Sequence, residues 1–197
     1  MQPLFRACGV GSGCLTVLDC TAGLLGDALL LAERGMLVTA CERNASVAAR
    51  QRDLLEAWLV DPEKSEAAAR LTLVERDARD VLQEMIERAA AGGDGGARPD
   101  VVYVDPMHPE RRKSALVKKD MRDLRDLVGG DEDAGDLLAL GMLAAERRVV
   151  VKWPRVGPGL ETRLPAWWVE RFGKKPVKPS GSVLGRATRW DVFTPRR

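Results

Sequence analysis

The densest chemistry in the chain is carried by Asp105-Pro106-Met107-His108-Pro109, directly after the apolar run Val101-Val102-Tyr103-Val104. A carboxylate accepts hydrogen bonds, proline removes a donor and stiffens the turn, and an imidazole offers a flat face. Such a set suits a planar ring that bears an amino group. The Asp105 side chain and a nearby main-chain carbonyl, such as that of Pro106, can take the two N–H bonds while His108 stacks on the ring. An exocyclic amine on a base is a poor nucleophile because its lone pair is delocalised into the ring. Two acceptors that orient that lone pair act mainly by positioning and electrostatics. His108 is the one histidine of the chain. Stacking or a hydrogen bond suits it better than proton abstraction, since the amine's proton can leave late, to Asp105 or to water. A turn histidine with no role is the plain alternative.

A second group opens the chain. Asp19-Cys20-Thr21-Ala22-Gly23-Leu24-Leu25-Gly26-Asp27 joins an apolar run to a helical pattern, and its glycines let backbone approach a ligand. It is not the dinucleotide GxGxxG, and its leading acid suits an amino or cationic ligand better than a pyrophosphate, which prefers bare N–H groups. S-adenosylmethionine has an ammonium group and no phosphate. Glu42 could accept two bonds from ribose hydroxyls, and Asp77 falls where an adenine amino group could be met. Any one of these acids alone would be an ordinary helix cap or surface acid.

These residues need elements to position them. Apolar runs at Leu15–Asp19, Met36–Cys41, Leu71–Val74, Val101–Val104 and Val149–Val151 read as strands, with Arg189–Thr194 alternating as a last one. Helical patterns run from Asp27 to Arg34, Ala45 to Trp58 and Ala78 to Ala90, with basic and helical segments between Lys113 and Glu146. Strands spaced by helices predict an open, parallel α/β sheet with helices on both faces. Ligands then bind at the carboxyl ends of the strands, where Asp19, Glu42, Asp77 and Asp105 all fall. Gly92-Gly93-Asp94-Gly95-Gly96 reads as a loop inside one domain.

With 197 residues, 45% hydrophobic and 30% charged, the chain is long enough for one well-filled core and too apolar to be disordered. Its apolar runs are far shorter than the ~20 residues that cross a bilayer. No secretory leader is visible, and Cys8, Cys14, Cys20 and Cys41 form no CxxC pair. A soluble, cytoplasmic protein without a metal site is expected. The net charge of +2 conceals an asymmetry: residues 1–105 carry −6, residues 106–197 carry +8, and Arg147 to Arg197 alone carry +10. Such an imbalance suits a polyanionic partner such as nucleic acid, and arginine-rich composition drift is the plain alternative.

The Asp-Pro turn with a ring three residues after the acid resembles the (Asp/Asn)-Pro-Pro-aromatic motif of amino-group methyltransferases. Together with Lys113-Ser114-Ala115-Leu116-Val117-Lys118-Lys119-Asp120-Met121-Arg122, it resembles the ribosomal small subunit methyltransferase J family. Asp19-Cys20-Thr21-Ala22-Gly23, Glu42-Arg43-Asn44 and Val149-Val150-Val151-Lys152 with Pro154 fit as well, so the likeness runs from about Leu15 to Thr194. The resemblance implies a Rossmann-like class I fold, with an open, mostly parallel seven-stranded sheet. It also implies transfer of a methyl group from S-adenosylmethionine to N2 of a guanosine in 16S ribosomal RNA, naked or within a 30S particle.

By the same resemblance, Asp19, Thr21, Ala22 and Gly23 line the cofactor's methionine end, and Gly26 and Asp27 close that loop. Glu42 and Arg43 lie at the ribose, and Asp77 near the adenine. Asp105, with Pro106 and His108, receives the amine beside the cofactor. Lys113, Ser114, Lys118, Lys119 and Lys152 are expected to hold RNA phosphates. Three departures stand out. Gly23-Leu24-Leu25-Gly26-Asp27 replaces the family's Gly-Leu-Gly-Arg-Asp, His108 replaces a Phe, and only about 14 residues precede the first strand where relatives carry a longer segment. Residues 1–14 are read as a short lead-in and 15–197 as the methyltransferase domain. Two other readings stay open: an amino methyltransferase with an adenine or protein target, and an RNA-binding module that has lost catalysis. A nicotinamide dehydrogenase fits poorly without GxGxxG.

Overall fold

The computed structural model describes residues 1–92, 98–106 and 133–196. Helix α1 (Pro3–Cys8) precedes β1 (Thr16–Asp19), α2 (Gly26–Glu33), β2 (Leu37–Cys41), α3 (Ala45–Leu59), α4 (Ser65–Ala68), β3 (Leu71–Val74), α5 (Ala78–Ala90) and β4 (Val101–Val104). Then follow α6 (Ala134–Ala144), β5 (Arg148–Pro154), a 3-10 turn η1 (Leu160–Arg163), α7 (Ala166–Phe172), β6 (Gly181–Leu184) and β7 (Thr188–Phe193). The sheet order is β3-β2-β1-β4-β5-β7-β6. The first five strands are parallel, and β7 is antiparallel to both β5 and β6. This is the expected class I arrangement, with the strand order reversing between β1 and β4.

Alternate side chains of each strand enter different layers, as the pleat requires. Leu18, Val102, Val104, Val149 and Val151 pack with α5, α6 and α7 through Leu82, Leu138, Met142 and Trp168. Val17, Val38, Val101, Tyr103 and Val150 pack with α1 and α2 through Leu4, Phe5, Leu31 and Ala28. Helix α6 (AGDLLALGMLA) is apolar nearly all round and is accordingly buried on most of its surface. The four cysteines are free and buried, and burial pushes the Cys41 thiol up to about 12. None of the described helices is long and apolar enough to cross a membrane.

Most strands and helices predicted from the sequence lie within a residue or two of their predicted bounds. β5 is longer than Val149–Val151 because its pairing with β7 continues from Val149 to Pro154. Four elements had no clear sequence signal: α1, α4, α7 and β6. β6 shows no strict alternation in its sequence because it is an edge strand, mostly exposed. Helix α1 packs into the fold: Leu4, Phe5, Ala7 and Cys8 are all buried, and Gly9 closes the helix in the left-handed conformation at φ 74°. The segment from Lys113 to Gly130, which the sequence reads as basic and helical, lies outside the described residues.

Candidate active site

Asp19 ends β1 and Asp105 follows β4, so the two acids flank the point where the strand order reverses. Their strands pair in parallel, and the segments beyond them are tied together. The Asp105 amide donates to Thr21 Oγ1 at 2.6 Å, and the Cys20 amide to the Tyr103 carbonyl at 2.9 Å. Thr21 therefore ties the start of the turn after β4 to the loop after β1. Pro106, the next residue, is buried.

Asp27, on the first turn of α2, reaches the same place. Its Oδ2 accepts from the Tyr103 hydroxyl at 2.6 Å and from Lys152 Nζ at 2.9 Å. Lys152 Nζ also donates to Asp105 Oδ2 at 2.7 Å, so one ammonium bridges the acid of the loop and the acid of the turn. Burial works to lower the Lys152 pKa, but Asp105 and Asp27 outweigh it and raise the group well above the usual lysine range. Tyr103 is pushed up as well, by burial and by the same two acids. The sequence expected Lys152 at an RNA phosphate; the structure places its ammonium in this acidic crevice.

Asp19 is only 2% exposed, and its Oδ1 accepts the Thr21 amide at 3.0 Å. Burial raises its pKa to about 7, with Asp27 and Asp105 adding to the rise against the pull of the Thr21 amide and Lys152. A buried carboxyl among carboxylates is a site that a cation relieves. The loop beyond it is set from outside: Gln51 Nε2 of α3 donates to the Gly23 carbonyl at 2.7 Å, and Gly23 has φ 49°. Leu25 is the only described non-glycine residue with positive φ (62°), and it is fully buried as the N-cap of α2. The left-handed turn thus falls on a leucine, while Gly26, where a Cβ would meet nothing within 4 Å, begins the helix.

Glu42 follows β2, is 8% exposed, and accepts the Asn44 amide on Oε1 at 2.8 Å. Asn44 caps α3 through the Ser46 and Val47 amides. Asp77 caps α5 through the Arg79 amide at 2.9 Å, and its carboxylate is gripped by Arg79 Nη2 at 2.6 Å, with Arg43 at 3.6 Å. The Arg79 guanidinium holds the Asp77 carboxyl down at about 2. Arg43 also pairs with Asp133 at the start of α6. So Asp19, Thr21, Gly23, Asp27, Glu42, Pro106 and Asp105 line one strip of strand ends with Ala22, which is buried. Asp77 and Arg43 belong to an ion-pair cluster at its β3 side. His108, Lys113, Ser114, Lys118 and Lys119 lie outside the described residues.

Sequence reasoning missed Gln51 and Tyr103. The hydroxyl in an otherwise aliphatic strand was a usable signal for Tyr103, whereas nothing in the helix pattern marks Gln51. No three His, Cys, Asp or Glu side chains among the described residues form a metal-holding group.

The crevice suits a cofactor that carries an amino group and a ribose and no phosphate. Its polar groups are mostly carboxylates, with a desolvated one at Asp19 and a nearly buried one at Glu42. Comparison with known proteins agrees. Residues 1–195 match the family described as "Putative SAM-dependent methyltransferase". The chain is 42% identical over 193 residues to the ribosomal RNA small subunit methyltransferase J of Thioalkalivibrio sulfidiphilus, covering 98% of this chain and 67% of that one. It is 39% identical over 195 residues to the protein of the same name from Agrobacterium fabrum, with 98% and 81% covered. Among solved structures it is similar to an SAM-dependent methyltransferase of Neisseria gonorrhoeae, with a TM-score of 0.70, 29% identity, and 98% and 71% of the two chains covered.

Proposed function

The chain belongs to the ribosomal RNA small subunit methyltransferase J family of S-adenosylmethionine-dependent methyltransferases, and from that premise we propose that it methylates N2 of a guanosine in 16S ribosomal RNA. The observation that carries the reading is the Asp105–Lys152–Asp27 bridge at the strand-order reversal, where the loop acid and the turn acid share one ammonium. Bound S-adenosylmethionine supplies an electrophilic methyl group on a sulfonium.

The chain's own residues do the rest by placement. Asp19 faces the cofactor's ammonium, and its burial makes that charge pairing strong. Glu42 takes the ribose hydroxyls, and Arg43, braced by Asp77 and Asp133, borders that pocket. Gly23, Ala22 and Gly26 keep side-chain bulk away from the loop backbone, which Gln51 holds from behind. Asp105 accepts one N–H of the guanine amine, and the Pro106 carbonyl is the second acceptor. Lys152 and the Thr21 hydroxyl fix the carboxylate and the backbone of Asp105, so the amine's lone pair is oriented before reaction and little reorganisation remains. His108 stacks on the guanine, and Lys113, Ser114, Lys118 and Lys119 take backbone phosphates. As transfer proceeds, the amine nitrogen becomes acidic and its proton leaves to Asp105 or water.

The test is transfer of labelled methyl to small-subunit RNA, offered naked and as 30S particles, followed by nucleoside analysis. N2-methylguanosine is expected, and it disappears in Asp105→Ala while S-adenosylmethionine affinity stays within a few-fold. Label in adenosine or in protein would replace the proposed target with another amine. Full activity in Asp105→Ala would remove Asp105 from the amine site.

A further inference from the structure

Between Glu146 and Glu161, and again between Glu170 and Asp191, the chain has no acidic residue. The register brings these two stretches together at one corner. Val104 pairs with Val151, Lys152 with Trp190, Pro154 with Thr188, and Leu184 with Arg189. The loop after β5 and the β6–β7 turn therefore emerge at the same end of the sheet as Asp105. At ~4.8 Å between strands and ~3.3 Å per residue, they lie roughly 10–15 Å from it.

The corner is stapled. Arg189 Nη1 donates to the carbonyls of Pro154 (2.9 Å), Arg155 (3.2 Å) and Gly157 (3.2 Å), while its Nε meets Asp191 Oδ2 at 2.8 Å. Asp191 is buried and also accepts from Ser182 Oγ at 2.6 Å. Arg155 joins the two loops, its amide donating to the Ala187 carbonyl at 3.0 Å and its Nη1 to the Gly185 carbonyl at 3.1 Å. One arginine is thus used wholly inside the fold to hold a surface loop in shape. On the outer side stand Arg155, Arg186, Val156 and Leu184, all exposed. Among the described residues Arg186 makes no ion pair or hydrogen bond. The acid nearest Arg155 in sequence, Glu161, has its Oε2 buried, and the one nearest Arg186, Asp191, is itself buried and held by Arg189.

We infer that this arginine-stapled ledge, formed by the β5–η1 loop and the β6–β7 turn, receives the RNA strand flanking the target nucleotide. The inference rests on the RNA reading proposed above. Arg155 and Arg186 are fork donors suited to phosphate oxygens. Val156 and Leu184 offer apolar surface on which sugars and unstacked bases rest, a mixture typical of single-strand binding. The rigidity of the corner matters because a nucleotide anchored ~10–15 Å away fixes the register of the target against Asp105 only if the anchor does not move.

The test compares Arg155→Glu and Arg186→Glu with Arg147→Glu, an exposed arginine at the opposite end of β5 that undergoes the same charge reversal. Affinity for small-subunit RNA is measured across salt concentrations, with S-adenosylmethionine affinity in parallel. The ledge variants are expected to bind RNA about tenfold more weakly at 0.1 M salt, each with a slope of log K against log salt shallower by about 0.7–1. S-adenosylmethionine affinity should be unchanged, and Arg147→Glu should bind RNA within about twofold of the parent. Equal losses in all three variants would reduce the effect to overall charge and overturn the ledge. So would unchanged RNA binding in both ledge variants, or a loss seen only on 30S particles, which would assign the corner to a ribosomal protein. A parent enzyme that labels no RNA would instead defeat the RNA reading itself, so the two failures are distinct.

Discussion

Lys152 is one ammonium between two half-buried carboxylates, and removing it leaves both Asp27 and Asp105 without their bridge. Lys152→Met is expected to cost about 1–3 kcal/mol of stability, the scale of a charged hydrogen bond lost in a partly buried place. Methyl transfer should fall further than stability does, with Lys152→Arg recovering part of it; denaturant titration beside single-turnover assays reads both. A Lys152→Met enzyme with normal turnover would leave the bridge a structural tie only. Asp19 gives a pH prediction. Its carboxyl is near 3.8 unfolded and about 7 folded, raised chiefly by burial. The folded state therefore holds the extra proton between those values, and the contribution of Asp19 to stability declines as pH rises through that window. Asp19→Asn should gain on the parent protein in the same direction when unfolding is followed from pH 4 to 7.5. Because the proposed ammonium contact favours the ionised acid, S-adenosylmethionine affinity should rise with pH toward 7 and level off above it. Calorimetry on Asp19→Asn should show that dependence flattened; an unaltered pH profile would detach Asp19 from the cofactor.

The loop between β1 and α2 carries one strained residue. Leu25 occupies a left-handed conformation that costs an L residue about 1–2 kcal/mol, and its fully buried side chain offsets that cost. Leu25→Gly and Leu25→Ala both lose the packing, but only Ala keeps the strain. Leu25→Gly should therefore be more stable than Leu25→Ala by about 1 kcal/mol, the reverse of ordinary helix propensity. Two helix glycines separate just as sharply. At Gly26 a Cβ meets nothing within 4 Å, so Gly26→Ala should add about 0.5–1 kcal/mol. If it also weakens S-adenosylmethionine binding, the cofactor passes over that residue. At Gly135 a Cβ would come 1.9 Å from the Arg163 carbonyl oxygen, where η1 crosses α6. Gly135→Ala must push backbone apart, and a loss of at least about 2 kcal/mol in thermal or denaturant unfolding is expected.

For the molecule as a whole, two packed layers hold one sheet, and the layer on the α1 side depends on the first residues of the chain. Phe5 is 2% exposed and lies with Leu4, Val17, Tyr103 and Val150. Phe5→Ala should cost about 3–5 kcal/mol, a loss visible in denaturant unfolding. The same sheet explains the charge asymmetry. The acidic half of the chain supplies β1 to β4 and the crevice, whereas the basic half supplies β5 to β7 and the stapled corner. The proposed cofactor site, which is acidic, and the proposed RNA ledge, which is basic, are therefore neighbours along one strand-end edge.

Much of this was readable in advance because it is local. Apolar runs and capping residues place a strand or helix by their own neighbours, so the alternation of elements and the acids Asp19, Glu42, Asp77 and Asp105 past strand ends follow from short windows of sequence. What those residues touch depends on strand order and on which helix faces which sheet surface, and that is a property of the packed chain. Only the tertiary structure brings Lys152 to Asp27 and Asp105, 125 and 47 residues away, and ties the Tyr103 hydroxyl to the cofactor loop. It alone brings Arg43 to Asp133, 90 residues further on, and seats β7 between β5 and β6 so that two arginine-bearing loops meet. Spacing along the chain carries no record of those distances, because the crossovers that close them are set by burial of the whole sheet.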